Sequence, residues 1–181
     1  DTLWQRWQEL DAQGPPGEAM AEAFAKRASA LGMQHSAASA LLDSAETRYD
    51  SGLAKALSLV AQNDAALFER LRALLAAHPD DADLLHSLGS WSRAAGNNDN
   101  AIGYWQRAIA QGGGAESWNQ LGQAHAGLSQ FEQAYIAENN ARRVLNGEAP
   151  LPMTGITLQQ RIAAEAVSEQ RNEHGIPWLP Q

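Results

Sequence analysis

Leu85-His86-Ser87-Leu88-Gly89 opens a stretch that runs on through Gly96, Ala101 and Trp105 to Ala108. Trp118-Asn119-Gln120-Leu121-Gly122 opens a second that runs through Ala134 to Ala141. One offset superposes them: Gly89 and Gly122, Ala101 and Ala134, and Ala108 and Ala141 are each 33 residues apart. Self-similarity at such a period marks supersecondary units stacked on one another. Within each unit the apolar residues recur every three or four positions, the spacing of one helix face. The small residues fall where two successive helices touch, and the large ones fill the space against the next unit.

A W-x2-L-G opening and a period of about 34 residues are the marks of the tetratricopeptide repeat, a helix–turn–helix unit. Working backward, Pro79 falls where a proline precedes the next hairpin. Leu67, Leu71 and Leu74 then take second-helix positions, with 49–61 as the first helix. One unit earlier, Phe24, Ala25, Gly32, Ala37 and Leu41 fit the same frame. The expected fold is all-α: a solenoid of about four helical hairpins with a right-handed superhelical curl and a terminal capping helix. Proline and glycine mark the outer boundaries. Residues 1–16 read as an N-terminal helix carrying Leu3, Trp4, Trp7 and Leu10, plus a linker. Residues 17–149 form the array, and 150–181 a capping helix (157–171) and an extended tail. Asp64, Asp80 or Asp81, Asn98 or Asp99, and Ser129 are the expected helix-starting caps.

Composition agrees. Alanine is the commonest of the 181 residues, whereas valine occurs three times and isoleucine six, too few β-branched residues for a sheet-rich fold. Thirteen Lys and Arg against 21 Asp and Glu give a net charge of −8. Thirteen scattered cations do not make the dense positive face that nucleic-acid phosphates require. Cysteine is absent, which removes disulfides, thiolate nucleophiles and zinc fingers together. No apolar stretch approaches the ~20 residues needed to span a bilayer, so the stretch reads as a soluble piece. It begins at Asp1 without methionine, which reads as part of something longer.

Two links are more distinctive than the repeat itself: Arg48-Tyr49-Asp50-Ser51-Gly52-Leu53, and His78-Pro79-Asp80-Asp81-Ala82-Asp83-Leu84-Leu85. Together with Leu31-Gly32, Trp4-x-x-Trp7 and Ala141-Arg142-Arg143, they resemble the C-terminal half of HemY proteins. These are tetratricopeptide proteins encoded beside heme-biosynthesis genes in proteobacteria. The resemblance covers most of residues 1–146. It implies an upstream part with two membrane helices and further repeats, and an inner-membrane location with this array on the cytoplasmic face. It also implies a non-enzymatic scaffold that organises or regulates late porphyrin-pathway enzymes. A flavin-dependent porphyrinogen oxidase shares the name, but the Gly-rich dinucleotide fingerprint it needs is missing here.

Little in the chain reads as chemistry. His35, His78, His86, His125 and His174 form no H-E-x-x-H or comparable pair on one helical face. His125 takes an aromatic packing position; the sharper alternative, a heme-iron or metal ligand, lacks a second donor. Gly112-Gly113-Gly114 precedes a helix but lacks the Lys-Ser/Thr and the strand of a phosphate loop, so it reads as a turn. Ser87 and Ser90 lie near His86 without a legible oxyanion site. Trp105 and Trp118 hold repeat positions, while Trp91 and Trp178 have no evident task. No cofactor is expected.

The partner-binding groove is expected on the first helices of the hairpins. It would carry His86, Ser90 and Arg93 from one unit and Asn119 and Gln123 from the next, with Arg93 available for a carboxylate. Solvated polar residues are the plain alternative, since helices must expose something. Three functions compete: a protein-binding scaffold, a heme- or porphyrin-binding module, and a repeat adaptor of another envelope pathway. An enzyme trails behind them.

Overall fold

Residues 2–13 and 17–153 are described in the computed structural model, and every regular element among them is helical. The α-helices are α1 (Thr2–Gln13), α2 (Glu18–Ala30), α3 (Gln34–Thr47), α4 (Ser51–Leu57), α5 (Ala65–Ala77), α6 (Ala82–Ala94), α7 (Asn98–Ala110), α8 (Ala115–Gly127) and α9 (Phe131–Leu145). A single 3-10 turn, Ser58–Val60, continues α4. The expected capping helix at 157–171 and the tail with Trp178 lie outside the described residues.

Carboxylates start several helices by accepting from N–H groups that have no partner inside the helix. Asp50 accepts from Gly52 N–H at 2.7 Å, and Asp64 from Leu67 N–H at 3.0 Å. Asp81, rather than Asp80, accepts from the N–H groups of Asp83 and Leu84. Two expected starts are displaced. Asn97, not Asn98 or Asp99, caps α7 through Asn100 N–H. Ser129 does not cap α9; it ends α8 in the left-handed region, at φ 58°. Four other helices end at glycines with the same backbone twist, Gly32, Gly96, Gly112 and Gly147. In all five, crossed backbone bonds close the last turn, as where Asn97 N–H reaches Ser92 O and Gly96 N–H reaches Arg93 O, both at 2.9 Å. This shared stop explains why the turns between the paired helices are so short.

α2 with α3, α6 with α7, and α8 with α9 pack as hairpins. The small residues of the repeat lie at their crossings. A Cβ on Gly89 would fall 2.5 Å from Trp105 Nε1, and one on Gly122 would fall 3.3 Å from Ala134 O. Ala101 and Ala134 are buried against these crossings. The middle unit departs from the pattern. Its first helix is cut to seven residues plus the 3-10 turn, and α5 packs on α3 and α6 rather than on α4. Arg70 fixes α5 to α3 by reaching Asp43 at 2.6 Å and Glu46 at 2.8 Å.

First helices stack on first helices. α4 lies between α2 and α6, where the added Cβ of Gly52 would meet Glu18 Cα at 2.8 Å. Ser87 Oγ donates to Ala54 O, and Trp91 Nε1 to Leu57 O at 2.8 Å, at separations of 33 and 34 residues. Trp91, unexplained from the sequence, is thus a strut between units: a fully buried indole that satisfies the carbonyl ending α4. Burying such a ring contributes on the order of 2–3 kcal/mol.

The two distinctive links also meet. Tyr49 stacks on the His78 ring at 3.6 Å and donates to Asp81 at 2.7 Å, while Ser51 donates to the same carboxylate oxygen at 2.8 Å. At the N-terminal end, Trp7 stacks on Phe24 at 4.4 Å and Arg48 donates to Asp11 O at 2.8 Å, docking α1 on the array. At the other end, buried Asn140 exchanges two hydrogen bonds with the backbone of Leu151 and folds the chain after α9 back onto it.

Candidate functional site

Four successive first helices, α2, α4, α6 and α8, present side chains to one concavity of about 580 Å³. Glu22 and Lys26 come from α2, Lys55 from α4, Ser58 and Leu59 from the 3-10 turn, Ala82, Asp83 and His86 from α6, and Glu116 and Ser117 from α8. Leu145, at the end of α9, also lines it. The size lies within the range of ligand-binding clefts. The groove therefore exists because α2, α4 and α6 pack side by side and α8 joins α6 through side-chain hydrogen bonds, and it draws on four units.

Charge is distributed unevenly along it. Lys26 pairs with Glu22 at 2.7 Å, and Lys55 with Glu18 at 2.6 Å. Asp83 and Glu116 line the same groove, and no ion pair or hydrogen bond links either side chain to another described residue. Asp83 is half-buried, and burial together with the neighbouring Asp81 carboxylate pushes its pKa up, against a smaller pull from Lys55. Asp81 shows the opposite balance. Burial raises it, but hydrogen bonds from Tyr49, Ser51 and the α6 backbone outweigh that and leave its pKa lowered. Two carboxylates two residues apart thus differ: one satisfied within the fold, the other facing open space.

Of the residues expected to form the binding face, only His86 lines this groove. It is 8% exposed, with Nδ1 2.9 Å from Ser117 Oγ across the α6–α8 seam. Burial is the main cause of its lowered pKa, opposed by Glu116. Ser90 turns back to donate to His86 O at 3.3 Å. Arg93 binds no free carboxylate acceptor; it donates to Gln120 at 2.7 Å and to Gln123 at 2.9 Å, clasping α6 to α8. Asn119 is half-buried on α8. The structure thus brings Arg93 and Gln123 together as an inter-unit clasp, and joins His86 to Ser117, a residue outside the expected set.

The missed residues had a signal. The 33-residue offset that relates His86 to Asn119 also relates Asp83 to Glu116, one turn earlier on the same helices. His125 occupies its expected packing position, buried with Nδ1 2.6 Å from Gln130 Oε1. Its Nε2 and the Ser92 hydroxyl, one repeat apart, are the two buried side-chain atoms without a hydrogen-bond partner among the described residues. Gly113 and Gly114 line the groove as part of the α7–α8 turn, where Gly113 N–H bonds Ala108 O at 2.7 Å. Among the described residues no three His, Asp or Glu side chains cluster as a metal site, and no helix is long and apolar enough to cross a membrane. Comparison with protein-family models, with curated proteins and with solved structures found no match.

Proposed function

We propose that this chain is a tetratricopeptide-like solenoid that acts as a non-enzymatic scaffold, holding a segment of another protein in the groove of its first helices. The observation that carries this is the concavity itself. It is built jointly by α2, α4, α6 and α8, and so presents a surface that no single hairpin could. The 33-residue offset and the small residues at the helix crossings support the repeat assignment. The resemblance to HemY proteins supplies the setting: late porphyrin-pathway enzymes as partners, and the cytoplasmic face of the inner membrane as the location.

The test is binding of the purified late porphyrin-pathway enzymes to the immobilised array, compared with an Ala82→Trp variant. Ala82 lines the groove at the start of α6, so an indole there fills the space without changing charge. One enzyme should bind the parent and lose at least tenfold in affinity to the variant, whose melting temperature stays near the parent's. Equal binding by both would remove the groove from the account. No binding by any of the enzymes would remove the pathway.

A further inference from the structure

We infer that the groove selects a cationic segment: a stretch of partner chain carrying Lys or Arg beside an aliphatic side chain, taken up in the groove that Asp83, Glu116, Leu59 and Leu145 line together. This rests on the scaffold reading and names the partner chemistry of that same groove. The charge arrangement carries it. Both lysines that line the groove are already held by carboxylates, Lys26 by Glu22 and Lys55 by Glu18. What remains for a ligand is Asp83 and Glu116, on neighbouring helices at equivalent repeat positions. An acidic or phosphorylated segment would meet two carboxylates that no ion pair engages among the described residues, and no unengaged lysine. A basic one would supply the counter-charge the groove lacks.

Apolar contacts complete the recognition. Leu59 is 38% exposed and Leu145 74% exposed, both at the groove, with Ala82 and Ala115 between polar neighbours. Leucines open to solvent beside a charged cleft suit an aliphatic anchor next to the basic residue. Asp83 also sits where the fold disfavours its charge, half-buried and beside Asp81. A bound cation would relieve that strain, so part of the binding energy comes from an electrostatic penalty present in the free protein.

The experiment uses three fluorescein-labelled decapeptides of one leucine pattern, with the remaining positions lysine, glutamate or serine. Fluorescence anisotropy is read on the parent, on Asp83→Asn/Glu116→Gln, on Ala82→Trp, and on the control Glu9→Gln/Glu69→Gln. The control removes the same charge on α1 and α5, away from the groove. The lysine peptide should bind the parent and control alike, bind the groove double variant at least tenfold more weakly, and lose affinity as salt rises. Binding of the glutamate or serine peptide that equals the lysine peptide's and vanishes in Ala82→Trp would overturn the cationic preference while leaving the groove as a peptide site. Lysine-peptide binding indifferent to all variants, or no binding by any peptide, would overturn the groove itself. Sedimentation of the parent and Ala82→Trp covers the remaining occupant. Self-association lost in Ala82→Trp would assign the groove to a second copy of this chain and overturn the proposal.

Discussion

Replacing Gly89 by alanine tests the packing of the hairpin at its tightest point. The new Cβ would lie 2.5 Å from Trp105 Nε1 and 2.7 Å from both Cδ1 and Cε2, closer than real atoms approach. Neither side yields easily. α6 is held to α4 by the Trp91 bond to Leu57 O, and Trp105 is fully buried, its Nε1 donating to His86 O at 3.2 Å. Overpacking of this kind costs about 1–3 kcal/mol. Displacing the indole loses a hydrogen bond and strands a buried donor, at a further ~1–3 kcal/mol. Alanine's better helix propensity returns about 1 kcal/mol. The net expectation is a destabilisation of about 1–5 kcal/mol, or roughly 2–20 °C in melting temperature for a chain of this size. Gly103 in α7 provides the comparison. An added Cβ there meets nothing within 4 Å, so Gly103→Ala should stabilise by about 0.5–1 kcal/mol. Urea unfolding followed by circular dichroism and tryptophan fluorescence would measure both variants. If Gly89→Ala proves as stable as the parent while Gly103→Ala gains as expected, the α6–α7 crossing is wrongly placed.

Three further outcomes follow from particular atoms. Ser129→Gly should stabilise the fold by on the order of 1 kcal/mol, because glycine adopts the left-handed backbone at φ 58° without a Cβ penalty; a lower melting temperature would contradict the turn geometry. Ser92→Ala should be neutral or stabilising by up to about 1 kcal/mol, since it removes a buried hydroxyl with no partner; a loss above 1 kcal/mol in urea titration would reveal a bond at that site. His86 has a folded pKa below its unfolded value of about 6.5, so its neutral form favours the fold. The stability it contributes is present above pH 6.5 and is lost as pH falls from there through the folded pKa. His86→Asn should therefore flatten the melting-temperature decline between pH 6.5 and 5. A variant that declines as steeply as the parent would show that His86 is not the titrating group.

The all-helical fold was legible because it rests on local causes. Spacing of apolar residues at three and four and caps such as Asp64 and Asp81 each act within one or two turns of chain, and the 33-residue offset repeats those local signals. The close contact at Gly89 was foreseeable for the same reason: a glycine in mid-helix, facing a tryptophan 16 residues on, implies a crossing without room for Cβ. What the linear order could not decide was which polar residues the stacking would leave open. The shortening of α4, and the packing of α5 on α3 and α6, depend on how whole helices fit against one another. That fit buries His86 against Ser117 and closes Arg93 onto Gln120 and Gln123, engaging groups that sequence spacing left free. It opens Asp83 and Glu116 to a common groove instead. Periodicity tells which face a residue occupies on its own helix. Only the lateral packing of α2, α4, α6 and α8, set by side-chain volumes far apart in the chain, decides whether that face meets a neighbour or an opening.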